Sequence, residues 1–199
     1  MAAGLAADLG VAVAAFVGTN IDNGVVTMAM VAAAPPGRAT RIASGQVMGF
    51  VLLVVVAAAT AIALFEFSTR AIGLLGLVPL ALGLRGLFML RPGAARTRLA
   101  RRAVGGGVIT AALVTIGAGG DNLAVYIPLL KLGGVTRLAA TTAVFALGEV
   151  VLTYLVLRAA GHPRIRQLAT RAGVVVAPVL YCAIGLLILW EASTIAALR

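Results

Sequence analysis

Two acids sit deep inside apolar stretches, each followed by an amide: Asp22 in Thr19-Asn20-Ile21-Asp22-Asn23 and Asp121 in Gly119-Gly120-Asp121-Asn122. An ionisable group at bilayer depth costs about 2.5 to 3.5 kcal/mol on insertion scales, so its retention points to use. Along a helix Thr19, Asp22 and Asn23 stand at i, i+3 and i+4, with Asn20 three residues before Asn23, so their oxygens share a face. In the second motif Gly117, Gly119 and Gly120 leave backbone carbonyls open beside the Asp121 carboxylate and the Asn122 amide. Two carboxylates among amide and carbonyl oxygens suit a divalent cation, whose charge cancels theirs. Like charges cannot both persist there unscreened, so protons and a metal ion can replace one another. That exchange is the physical basis of proton antiport.

Glu149, in Ala146-Leu147-Gly148-Glu149, is a third intramembrane acid, with Thr142, Phe145 and Thr153 on its helical face. It reads as an additional ligand or the proton-coupling group, or else as a protonated side chain bonded to a neighbouring helix. Gln46 lines the same cavity or acts as a hydrogen bond between helices. Arg85 snorkels to an interface, and Asp8, Glu66 and Glu191 lie near span ends, where solvation explains them. His162 falls in a basic loop. Cys182, Met28 and Met30 offer soft sulfur but read as packing residues. Pro79 and Pro178 are expected to kink spans three and six or to end helical segments.

The elements that position these residues follow from composition. Of 199 residues, 62% are hydrophobic and 11% charged, which describes an all-α polytopic membrane protein, here a single domain. Six apolar stretches, roughly 5–34, 42–65, 71–90, 104–130, 138–157 and 172–190, are each long enough to cross. The first and fourth approach about 30 residues and carry the Asp-Asn pairs among poor helix formers, so both are expected to be broken there. The net charge of +10 comes from Arg and Lys between spans, which excludes a nucleic-acid stripe and sets topology instead. Loops after spans one, three and five, including 91–102 and 158–171, carry most of the arginines and belong inside, with both termini outside. The single cysteine excludes an internal disulfide and a thiolate cluster.

Positions 22 and 121 differ by 99, as do 23 and 122, and the same offset relates Arg38 to Arg137, Gly49 to Gly148, Pro79 to Pro178 and Gly86 to Gly185. Repeats of about 1–99 and 100–199 with three spans each must enter the membrane from opposite sides, because three is odd. Inverted repeats place a transport site at the midplane.

The runs Phe16-Val17-Gly18-Thr19-Asn20-Ile21-Asp22-Asn23, Gly45-Gln46-Val47-Met48-Gly49-Phe50, Gly73 to Gly83 and Gly119-Gly120-Asp121-Asn122-Leu123-Ala124-Val125-Tyr126-Ile127-Pro128 resemble the cadmium-resistance transporter (CadD-like) family of the lysine-exporter superfamily. The resemblance implies a bacterial inner-membrane exporter of cadmium or another divalent cation, and carries over to Thr19, Asp22, Gln46, Gly120, Asp121, Asn122, Tyr126 and Pro128. It implies a transporter rather than an enzyme, without a cofactor. Lipid, protons and the metal are its partners, and a homo-oligomer is left open. Asn23 departs from the family pattern, which carries a second acid there, and describes a harder, less charged site. Export of a small organic cation or amino acid is the alternative within transport. An intramembrane aspartyl protease is a remote one, since its Gly-x-Gly-Asp signature meets Ala118 in place of the first glycine.

Overall fold

A computed structural model describes residues 2–66, 68–89, 107–132 and 134–197. Among these residues the chain is helical without strands: α1 (Ala2–Ala33), α2 (Ala39–Ala63), α3 (Thr69–Leu74), α4 (Leu77–Met89), α5 (Val108–Ala118), α6 (Asn122–Leu132), α7 (Gly134–Ala159) and α8 (Pro163–Ala197). Five segments are long and apolar enough to cross a membrane, and the α5–α6 pair, bent by 72°, makes up to six. The turn between α1 and α2 contains Pro35 and Pro36 and closes on Gly37, whose φ of 78° is one that a side chain resists. Ser68 caps α3 by accepting from the Ala71 N–H at 3.3 Å. The basic segment 91–102 lies outside the described residues.

Three expectations need correction. Span one is not broken at its Asp-Asn pair, because α1 is continuous from Ala2 to Ala33. The polar side chains there bond back to the preceding turn instead of releasing it: Thr19 Oγ1 donates to the Ala15 carbonyl at 2.7 Å, and Asn20 Nδ2 to that of Phe16 at 3.0 Å. The segment 158–171 is not a long loop. Only a short turn around Gly161 interrupts it, and α8 starts at Pro163, a residue suited to a first helical turn. Asp8 and Glu191 are not simply solvated. Arg137, only 8% exposed, pairs with Glu191 through two contacts of 2.9 Å and with Asp8 at 3.2 Å, tying α1, α7 and α8 at one end of the bundle.

Of the two prolines, Pro79 lies in the first turn of α4, just beyond the break at Leu75–Gly76, while α8 runs through Pro178 without interruption. Lipid tails are as apolar as the helices, so association relies on close backbone approach. A Cβ on Gly45 would collide with the Val108 carbonyl and Ala111, and one on Gly49 would stand 2.7 Å from the Ala112 carbonyl, so α2 lies directly against α5. On the other flank, a Cβ on Gly83 would stand 2.7 Å from the Pro178 carbonyl, which brings α4 equally close to α8. Phe16, Phe50, Tyr126 and Phe145 pack ring on ring at the centre, with centroids 4.5 to 6.4 Å apart.

Replacing Gly49 by Leu should therefore destabilise the protein by about 3 kcal/mol, since backbone rather than a flexible side chain must give way. Gly10→Leu, where nothing stands within 4 Å, serves as the neutral comparison. Thermal unfolding in detergent reads both, and equal midpoints would contradict the packing described.

Candidate functional site

Stretches one and four meet at a single hydroxyl. Tyr126 is fully buried, and its oxygen lies 2.9 Å from Thr19 Oγ1 while accepting from Asn20 Nδ2 at 2.7 Å and from Asn122 Nδ2 at 3.5 Å. Tyr181 of α8 donates to Asn122 Oδ1 at 3.3 Å, and Asn23 Nδ2 reaches Asn20 Oδ1 at 3.4 Å. Thr19 already donates to a carbonyl, so it receives the tyrosine proton, and the two amides fill the phenol's lone pairs. Thr19, Asn20, Asn23 and Asn122 are each at most 3% exposed. The result is a neutral, interlocked polar core joining α1, α6 and α8.

The break between α5 and α6 makes this possible. The Gly119 N–H still bonds the Thr115 carbonyl at 2.8 Å, and the Asn122 N–H starts the next helix from the Gly119 carbonyl at 3.0 Å. A Cβ on Gly119 would stand 2.9 Å from the Thr115 carbonyl, a backbone atom, so a side chain is disfavoured where the chain turns through 72°. The turn redirects α6 so that Asn122 and Tyr126, one helical turn apart, both face the centre. Asp121 occupies the break itself.

The acids are placed differently from the amides. Asp22 is partly exposed on α1, and its Oδ1 lies 3.0 Å from where a Cβ on Gly173 of α8 would stand. Glu149, on α7, is 3% exposed and accepts from Gln46 Nε2 of α2 at 3.0 Å. Among the described residues no group of three or more His, Cys, Asp or Glu side chains stands close enough to hold a metal ion, so Glu149 does not join both aspartates in one such cluster. Sulfur is directed elsewhere: Cys182 packs on Gly83, while Met28 and Met30 are buried, Met30 against Val26 and Ile42.

In the sequence Tyr126 carries weight only through the family resemblance, and nothing there marks Tyr181. The available signal was a phenol inside an apolar span, whose hydroxyl must find a partner when buried. For Tyr126 the spacing to Asn122, i to i+4, names one such partner.

Tyr126→Phe keeps the ring and deletes the shared hydroxyl, taking the Tyr126 partner from Thr19, Asn20 and Asn122, of which Thr19 and Asn20 keep their bonds to the Ala15 and Phe16 carbonyls. A loss of about 1 to 3 kcal/mol in unfolding free energy is expected. Chemical unfolding in detergent checks this, and an unchanged midpoint would show that the hydroxyl does not organise the core.

No curated protein and no solved structure gives a significant match to the chain. The family described as "Cadmium resistance transporter" matches residues 16–199, which include both Asp-Asn motifs, the bend and the Tyr126 network. That coverage is nearly the whole chain, and the family is one of transporters rather than enzymes, with no cofactor indicated. The chain belongs to the cadmium resistance transporter family.

Proposed function

We propose that the protein is a secondary transporter of the bacterial inner membrane that exports a divalent metal cation, cadmium or a similar ion, in exchange for protons. The reading rests above all on the meeting of both Asp-Asn motifs at one buried hydroxyl, with Asn20 from one and Asn122 from the other. Asp22 and Asp121, each next in sequence to a buried asparagine of this core, supply the charge that draws a cation in. Side-chain and backbone oxygens replace its water, and a proton on either carboxylate opposes metal binding by removing that charge.

Alternating access follows from an inverted repeat with both termini outside. Two contacts support it. A Cβ on Gly49 of α2 would meet Thr115 of α5 at 2.9 Å, and one on Gly148 of α7 would meet the ring of Phe16 of α1 at 2.8 Å. Positions 49 and 148 differ by 99, and so do 16 and 115, so the same interface occurs once in each half. Rocking of one half against the other then exposes the core to each side in turn.

The neutrality of the amide and hydroxyl network favours a second reading, export of a small organic cation or amino acid. Metal flux in proteoliposomes separates the two. Cd, Zn, Mn and Ca are compared under an imposed pH gradient, and the Asp22→Asn, Asp121→Asn double variant is expected to lose about tenfold or more of the flux. If none of these ions moves under any gradient, the metal reading fails.

A further inference from the structure

A groove runs along the outside of the bundle between α1 and α7. Its first half is a cavity of about 400 Å³ bounded by Val13 and Val17 of α1 and by Leu147, Val151 and Leu155 of α7. Its second half, again about 400 Å³, passes Gly24 and Met28 and ends among Arg158, His162 and Ile165. Ile21, Leu152 and Leu155 line both halves, so the two form one continuous groove. Residue numbers rise together on both helices, so α1 and α7 run in the same direction and the groove ends at the C-terminus of α7. From Val144 to Arg158 it follows α7 for about 21 Å, more than the ~15 Å that is half of a ~30 Å hydrocarbon core.

The two ends differ in chemistry. Val13, Val17, Leu147, Val151 and Leu155 are between 40% and 67% exposed, so the apolar walls open outwards. The far end is cationic. Arg158 stands over the Tyr154 ring at 5.3 Å, which steadies the guanidinium while the side chain stays exposed. His162 adds an imidazole donor beside it, and 158–171 carries four arginines without an acid. No acid among the described residues lines either half, and Asp22 of α1 is turned to Gly173 of α8 instead. Long apolar walls that lead to a guanidinium match an amphiphile with an acyl tail and an anionic head. A second copy of the chain in the same membrane orientation would bring the same basic end to the same depth, where like charges repel.

We infer that this groove is a binding site for one anionic phospholipid, with an acyl chain along α1 and α7 and its headgroup phosphate held by Arg158 and His162. The lipid touches the frame of the core without entering the cation pathway. Phe16 and Asn20 line the first half of the groove, and Asn20 donates to the Tyr126 hydroxyl at 2.7 Å. A bound chain therefore packs on the helix that carries the first Asp-Asn motif and supports its seat against α7. This holds whichever ion the protein moves.

The test is the thermal midpoint of the purified full chain in detergent with added phosphatidylglycerol or phosphatidylcholine of identical acyl chains. Phosphatidylglycerol is expected to raise the midpoint by several degrees over phosphatidylcholine. The difference should vanish in Arg158→Gln, which removes the headgroup contact, and in Leu155→Trp, which fills the groove. It should persist in Arg164→Gln, since Arg164 is exposed and lies outside the lining. Equal midpoints for the native chain, a difference retained in Arg158→Gln or Leu155→Trp, or one lost equally in Arg164→Gln would overturn the inference. A rise that coincides with a shift from monomer to dimer on size exclusion would give the groove to a second copy and overturn it too. If Leu155→Trp does not fold, Val151→Trp carries the same comparison. The outcome is independent of metal flux: a chain that moves no divalent ion yet shows the Arg158-dependent rise refutes the exporter and retains the lipid site.

Discussion

A polar group in the interior of an apolar bundle has no water to turn to, and every feature of the centre of this protein follows from that constraint. Tyr126 brings one hydroxyl to full burial, and Thr19, Asn20 and Asn122 reach it from two helices. Each shares that hydroxyl while Thr19 and Asn20 also bond the backbone of α1, so the group holds its members in a single arrangement. The helices around it then have little freedom. Stretch four must break at Gly119 to turn Asn122 and Tyr126 inward, and α1 must stay whole so that Thr19, Asn20 and Asn23 share its inner face.

The two Asp-Asn motifs thus divide their labour. The amides are buried and build the core, whereas Asp22 and Asp121 are only partly buried. A bilayer-embedded site needs both properties. A rigid neutral interior fixes geometry without the cost of permanent charge, and acids near its edge bring charge only where an ion can compensate it. At the far end of the bundle, the Arg137 pairs with Glu191 and Asp8 fasten α1, α7 and α8. A transporter that rocks its halves must loosen that fastening as it opens there.

Much of this was legible in the residues. The long apolar stretches pointed to the membrane class, and the glycines ahead of Asp121 to the break in stretch four. The continuity of α1 was not legible from motif similarity, because the two Asp-Asn pairs differ in what precedes them. Gly119 and Gly120 free the backbone, while Thr19 and Asn20 bond back to it and keep the helix. The ion pairs of Arg137 were hidden for another reason. Asp8 and Glu191 lie near the ends of spans far apart in sequence, and only the packing of α1, α7 and α8 brings them to one arginine. Tyr181 is a similar case, since its partner Asn122 stands 59 residues away.

The central claim is that a metal ion is held by the oxygens of this core and not by sulfur. X-ray absorption on the cadmium-loaded protein tests it directly. The account predicts a first shell of oxygen and nitrogen scatterers alone, because Cys182 packs on Gly83 and Met30 lies among Val26 and Ile42. A sulfur scatterer in that shell would contradict it.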